Sequence, residues 1–476
     1  MKSESATSAA YVSTMLTIPQ CPHEFLQVDP SPFAELAGFE RADTKARLAA
    51  AIKSGRVPPP AHGKVPHNVL LEGQAEALST TFPAPLVLPH DDLNYEPDER
   101  AQSMKSWYGE KARNRFGAEG RSVLYVADVP RIGKGVEKLQ MERWVKPTVN
   151  DKEELGSPQA GEVMEYLAAF YHGIQVKEFP TKLNWTTWKS TARTNAVTKG
   201  VPKYIALQNG EEKTRIRTRP TPDGVFTAQL NLDDILDAAI AMLPKDAYAL
   251  LLLVDHDIYE NEDDDFCCGR AYGGSRVAVV QSARYNPHLD VGNGIDLAHT
   301  WPMSHCKAYI DNLCAVEEVL TTAPTKDQIK LSKTVPMHAA MAAASTLPIP
   351  TSKPALEGLW FSRVARTASH ELGHCLGMAH CVYYACNMQS TGGMKEDARQ
   401  PPYLCPICLA KLGHAVCVEL EASGKASAKT DERVKDWKTT RYKVMREFCK
   451  VNGRGGVAMW RGLEAWVEGS AQKKIS

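Results

Sequence analysis

The stretch His370-Glu371-Leu-Gly-His374-Cys-Leu-Gly377-Met-Ala-His380-Cys381 constrains this chain more than any other. On a helix, residues four apart lie about 40° apart around the axis, so His370 and His374 point into the same space and can clamp one ion. Glu371 stands about 100° round from His370, placed to reach a water beside that ion rather than to ligate it. Gly377 allows the left-handed conformation that ends a helix and turns the chain, which lets His380 swing back as a third nitrogen donor. Three imidazoles leave one tetrahedral corner open, the arrangement of a catalytic zinc rather than a closed structural one. The alternative is a helix that happens to carry three histidines.

Further on, Cys381, Cys386 and the pair Cys405-Pro-Ile-Cys408 have the spacing of a closed four-cysteine zinc site, against the alternative of buried, metal-free thiols. Because Cys381 adjoins His380, a metal held there pins the backbone that presents the third histidine. Cys375 and Cys417 read as core residues.

The pattern HExxHxxGxxH is the zinc signature of metzincin metallopeptidases. With Cys381 fused to the third histidine, Cys386-Asn-Met388 behind it and the distal Cys405-Pro-Ile-Cys408, the chain resembles the archaemetzincin (archaelysin) family. The resemblance covers most of residues 70–450, most sharply from His370 to Cys408 and only loosely before Val163, and implies a mixed α/β (α+β) metalloprotease domain. Its expected parts are a twisted mixed sheet, a backing helix, an active-site helix and a zinc-pinned C-terminal subdomain. Met388 matches the family's Met-turn methionine, an apolar floor under the histidines. No tyrosine follows it at the second position, unlike metzincins with a tyrosine ligand; Tyr383 and Tyr384 are read as packing residues. The resemblance also implies that the late strand Arg276–Arg284 is the sheet edge facing the cleft, where an extended peptide adds as a strand.

Composition narrows the setting. Lysine plus arginine and aspartate plus glutamate both number 56, so no overall charge favours nucleic acid or membrane. Lys395, Arg399 and Lys411 make no continuous basic stripe. No apolar run of signal-peptide or membrane-spanning length occurs, and the cysteine spacing suits a reducing compartment. The expectation is an intracellular protein, cytoplasmic or nuclear, and a monomer.

Along the chain, residues 1–66 are expected to be a largely disordered N-terminal extension, with a short helix from Asp43 to Lys53 and a tri-proline run after it. Residues 67–476 are expected to form the domain, divided into 67–377 with the active-site helix and 378–476 with the four-cysteine site. The expected elements are strands at 122–127, 174–179, 248–255 and 276–284, and helices at 162–171, 233–242 and 338–344. An amphipathic active-site helix from Ala355 and a final helix at 431–450 complete them. The run from Tyr248 reads as a strand buried on both faces. Segment 269–274 reads as a turn, and 285–354 as a long connection. His299, His305, Cys306 and Cys314 fit no recognisable metal spacing, His256 reads as a satisfied strand-end residue, and Glu262–Asp265 as a solvated loop.

The function expected is a zinc-dependent metallopeptidase holding two zinc ions per chain, one catalytic and one structural. It hydrolyses peptide bonds of a peptide or protein substrate through a zinc-activated water, with Glu371 as general base. The alternative is a zinc-stabilised interaction module with little or no turnover; intact Glu371 favours the enzyme.

Overall fold

The apolar run at Tyr248 becomes a strand in which all of Ala247–Val254 is buried, as a strand covered on both faces must be. In the computed structural model, residues 21–57, 81–92, 99–133, 135–148, 153–188, 197–420, 430–453 and 456–472 are described. This strand lies at the centre of a five-stranded sheet built from β1 (Val123–Ala127), β2 (Gln175–Glu178), β3 (Ala247–Val254), β4 (Gly269–Tyr272) and β5 (Val277–Gln281). The order is β4-β5-β3-β1-β2, parallel throughout except that β4 runs antiparallel to β5.

Alternate residues of these strands serve two cores, as the period of two requires. Leu124, Val126, Leu251, Leu253 and Val280 join the helical core that holds α1 (Ala160–Phe170). Tyr125, Leu250, Leu252 and Val279 join a second core with α2 (Leu232–Ala241). The wall beyond α2 is a six-stranded mixed sheet, outside the elements expected from the sequence, that includes Asn184–Thr187, Tyr204–Asn209 and Glu212–Pro220.

On the helical side, α3 (Pro336–Ala344), α4 (Lys353–Cys375), α5 (Pro406–His414), α6 (Thr430–Gly453) and α7 (Ala458–Gln472) complete the body. Helix α4, the expected active-site helix, starts after Ser352 with a proline in its first turn, where a missing N–H costs nothing. The expected amphipathic stripe is not what forms: every residue from Trp360 to Gly373 is buried, so α4 is enclosed on all sides. Its two interior cations are therefore paired. Arg363 makes a two-pronged bond to Asp290 at 2.7 and 2.9 Å, and Arg366 binds Asp397. The segment 285–354 is also not a bare connection, since it carries helices Lys307–Val316 and Lys326–Ser332 as well as α3. Helix α7, which packs against α3, has no counterpart in the sequence reading.

The N-terminal segment differs from its expectation as well. Residues 1–20 and 58–66 lie outside the described residues, but 21–57 are packed: Leu26, Leu48 and Ala50 enter the main core, and Leu26 bridges to Cys306. A helix, Thr44–Ala50, does form there, with Asp43 accepting from the Ala46 N–H at 2.7 Å. The polar run 424–429, which reads as a linker in the sequence, lies outside the described residues.

Candidate metal centre and cleft

Helix α4 ends as Gly377 permits. Gly377 has φ +75°, its N–H donates to the His374 carbonyl at 2.9 Å, and the Met378 N–H donates to the Gly373 carbonyl at 3.1 Å. This pair of bonds is a Schellman motif, and it returns the chain so that His380 faces the helix. The ring donor atoms of His370, His374 and His380 all lie within 4.8 Å of one another.

The second nitrogen of each ring sets its tautomer. His370 Nδ1 faces the Asn387 carbonyl at 2.6 Å, His374 Nδ1 the Met378 carbonyl at 2.8 Å, and His380 Nδ1 the Glu99 carboxylate at 3.0 Å. These oxygens only accept, so each Nδ1 carries its proton and each Nε2 presents a bare lone pair. The Nε2 atoms of His370 and His374 are 3.0 Å apart. Two bare lone pairs at that distance repel unless a cation lies between them. Zinc–nitrogen bonds of about 2.0–2.1 Å at tetrahedral angles set such nitrogens about 3.3 Å apart, so the donor set fits a zinc ion. Burial holds His374 neutral down to about 4 and His370 well below its ordinary range. Neither ring therefore needs to lose a proton to ligate near neutrality.

Glu371 is buried on the next position of α4 and lines a cleft of about 860 Å³ with the three histidines. Burial raises its carboxyl to about 8, with Arg270 pulling the other way. The opposite wall is β4. This corrects two expectations: the sheet edge beside the cleft is Gly269–Tyr272 and not the late strand, and Gly269–Gly274 is a strand with a short helical turn rather than only a turn. The glycines there allow a close approach. A Cβ on Gly269 would sit 3.2 Å from Glu371 Oε1, and one on Gly273 would collide with the His374 carbonyl.

Met388 lies beneath the helix, where a Cβ on Gly373 would collide with its sulfur. The backbone around it is tied to both clusters: Cys381 N–H donates to the Met388 carbonyl at 2.7 Å, while the neighbouring Asn387 carbonyl holds His370.

Cys381, Cys386, Cys405 and Cys408 are all buried, with sulfurs within 4.8 Å of one another. The Cys381–Cys405 and Cys386–Cys408 separations are 3.6 and 4.0 Å. Zinc–sulfur bonds of about 2.3 Å give a tetrahedral edge of about 3.8 Å, so this set also fits zinc, with no corner left open. Cys405 and Cys408 sit at the start of α5, whose first turn carries the proline between them.

The lesser candidates sort out plainly. Tyr384 packs on Phe82 under Arg47, and neither it nor Tyr383 lines the cleft. Cys375 and Cys417 are buried. His256 is buried between Trp144 and Trp185 and bonds Asp255 at 2.7 Å. Asp264 caps its own loop through the Glu260 and Asn261 N–H groups. Arg399 pairs with Asp91 and Lys411 donates to Gln102, so neither contributes to a basic face. Sequence reading missed Glu99 and Gln102. Gln102 holds the turn through the Gly377 carbonyl and the Ala379 N–H, and nothing in local spacing marks either residue.

Residues 350–414 match the family model Peptidase family M54. Mouse archaemetzincin-2 is 24% identical over 251 residues, 53% of this chain and 52% of that protein. Human archaemetzincin-2 is 29% identical over 194 residues, 41% of this chain and 44% of that protein. Rat archaemetzincin-1 is 27% identical over 238 residues, 50% and 36% of the two chains. The chain thus spans about half or less of the length of these curated relatives. Among solved structures, the archaemetzincin of Methanopyrus kandleri aligns with 63% of this chain and 97% of its own, at 15% identity and a TM-score of 0.28. A zinc-dependent peptidase from Methanocorpusculum labreanum aligns with 61% and 99%, at 14% identity and a TM-score of 0.27. No described helix is long and apolar enough to cross a membrane. The family match runs from α4 through both candidate metal clusters to the end of α5, and over this stretch the chain is similar to peptidase family M54, with curated relatives that carry the archaemetzincin name.

Proposed function

We propose that this chain is a zinc-dependent metallopeptidase of the metzincin type, hydrolysing peptide bonds in the cleft between β4 and α4. The observation that carries the reading is the convergence of three bare Nε2 atoms beside a buried carboxylate at one wall of an open cleft. His370, His374 and His380 hold the catalytic zinc, and Glu371 is the general base. When bound, zinc supplies Lewis-acid polarisation of the scissile carbonyl and makes water acidic enough to attack near neutrality.

The chain's own residues do the rest. Glu371, whose burial strengthens its hold on a proton, takes one from the attacking water and delivers it to the departing amine. Asn387, Met378 and Glu99 keep the three rings in the ligating tautomer. Strand β4 is the outer strand of its sheet, and its free side pairs with an extended substrate backbone, fixing the scissile bond over Glu371. Met388 floors the histidines. A second zinc in the four cysteines holds the 381–408 loop and so the position of His380, as the anchor of a C-terminal subdomain from 378 onward. The unmodified thiols of that cluster suit an intracellular compartment, and we assign the working unit as a monomer.

The test is Glu371→Gln assayed against a peptide library, with zinc counted in the same preparation. The proposal expects cleavage to be lost and zinc content unchanged. Unaltered cleavage would overturn the role of Glu371, and absence of cleavage by the wild-type protein would favour a zinc-stabilised interaction module.

A further inference from the structure

His299, which does not line the cleft, has the same tautomeric signature as the three cleft rings. His299 is 7% exposed. Its Nδ1 bonds the Asp296 carboxylate at 2.6 Å, its ring stacks on Tyr309 at 4.0 Å, and its Nε2 is buried with no hydrogen-bond partner among the described residues. A carboxylate on Nδ1 leaves Nε2 as a bare lone pair, and a fixed ring with such a nitrogen is how a protein presents an imidazole to a metal. His23 Nε2 is likewise buried and unpartnered. The donor atoms of Cys21, His23 and His299 lie within 4.8 Å of one another, and the Cys306 sulfur stands 3.1 Å from that of Cys21.

The sequence could not show this because the donors come from segments nearly three hundred residues apart. Backbone pairing brings them together. The Gln27 N–H donates to the His305 carbonyl at 2.8 Å and the Lys307 N–H to the Phe25 carbonyl at 2.8 Å. The Cys21-x-His23 arm therefore lies along the segment that ends in Cys306.

We propose that Cys21, His23 and His299 form a third metal site, with Cys306 beside Cys21 as the nearest further thiol, which takes a divalent cation of zinc type. A thiolate and two imidazoles are zinc donors, and Asp296 behind His299 fixes that ring. The ion ties the N-terminal arm to the body of the domain, away from the cleft. Its role is structural, and it is independent of whether the cleft is catalytic.

The experiment compares zinc per chain, by mass spectrometry of the metal, in the purified full-length protein and in Cys21→Ser/His23→Ala. These positions are on the arm, so the body keeps its own contacts. His299→Ala is the companion variant from the other side of the site. Both are expected to hold one zinc fewer per chain than wild type, and cobalt-loaded wild type minus cobalt-loaded variant is expected to show a thiolate-to-cobalt absorption band. Equal zinc in wild type and both variants would overturn the proposal, as would a Cys21–Cys306 disulfide in a non-reducing peptide map of the purified protein. Because the readout is a difference, loss of either other zinc affects both sides equally.

Discussion

The three-histidine and four-cysteine clusters share a backbone at His380-Cys381, yet they are built to opposite ends. The histidines line a solvent-open cleft, and each ring is held from behind by a different part of the chain: Asn387, Met378 and Glu99. The cysteines are buried and face one another, with sulfur separations of 3.6 and 4.0 Å close to a zinc tetrahedron, and Cys386 also accepts from the Met388 N–H at 3.4 Å. One cluster has three donors and supporting hydrogen bonds; the other has four donors and no vacancy. An open coordination site needs outside support because the metal alone does not fix three rings, whereas four thiolates close the shell by themselves. The loop 381–388 links the two, with Cys381 and Cys386 in one cluster and the Asn387 carbonyl in the other. On the proposed reading, order in the closed site is thus transmitted to the open one.

The largest effect is expected from the closed site. Structural zinc contributes apparent free energies of about 10–16 kcal/mol, comparable to the whole stability of a typical domain, about 5–15 kcal/mol. Cys405→Ser/Cys408→Ser is therefore expected to lose zinc from both clusters and to unfold the region around α5, read by metal counting and circular dichroism. Loss of only the cysteine zinc, with cleavage intact, would break the link between the clusters.

Next comes Glu371→Gln. General-base catalysis contributes about 10²–10⁴-fold, and kcat/KM is expected to fall by that order while both zinc ions stay. The same variant gives a pH test in metal-free protein. Burial pushes the folded carboxyl up to about 8, from its ordinary 4.5. The folded state thus binds this proton more tightly than the unfolded state does. That contribution is complete below 4.5 and is lost as pH rises through about 8. Metal-free wild type should lose melting temperature over that window relative to Glu371→Gln; parallel curves would show that Glu371 is not held in a dry site.

Glu99→Gln sharpens the contrast, since partners behind a ligand contribute about 10–100-fold in metal affinity. Competition with a chelator should show weaker binding at the histidine site and no change at the cysteine site. The smallest effect is expected from Met388→Leu, a volume-conserving change that costs under about 1.5 kcal/mol. A large loss of activity without loss of stability would give the thioether a role beyond packing.

How much of this was legible in the sequence follows from where each interaction lies. The helix clamp, the Gly377 turn and the cysteine pairs depend on spacings of a few residues, and local geometry decides them. The partners behind the rings are carried by tertiary contacts: Glu99 lies 281 residues from His380. The edge strand is hidden in the sequence because Gly269, Gly273 and Gly274 look like a turn, while their function is to let a strand pass against Glu371 and His374. The hairpin Tyr204–Pro220 had a readable signal in Asn209-Gly210, where Gly210 has φ +58°. Its polar alternation hid it among loops. The prolines of the N-terminal segment suggest a solvated extension, although Leu26 and Leu48 are core residues.

The central claim is that one ion sits between His370, His374 and His380 with a corner left open beside Glu371. Crystals of the zinc-loaded protein measured on either side of the zinc absorption edge test it directly. The account predicts an anomalous peak about 2.0–2.1 Å from each of the three Nε2 atoms, apart from the peak among the four sulfurs. A fully loaded crystal with density only among the sulfurs, and the three rings turned away from one another, would contradict it.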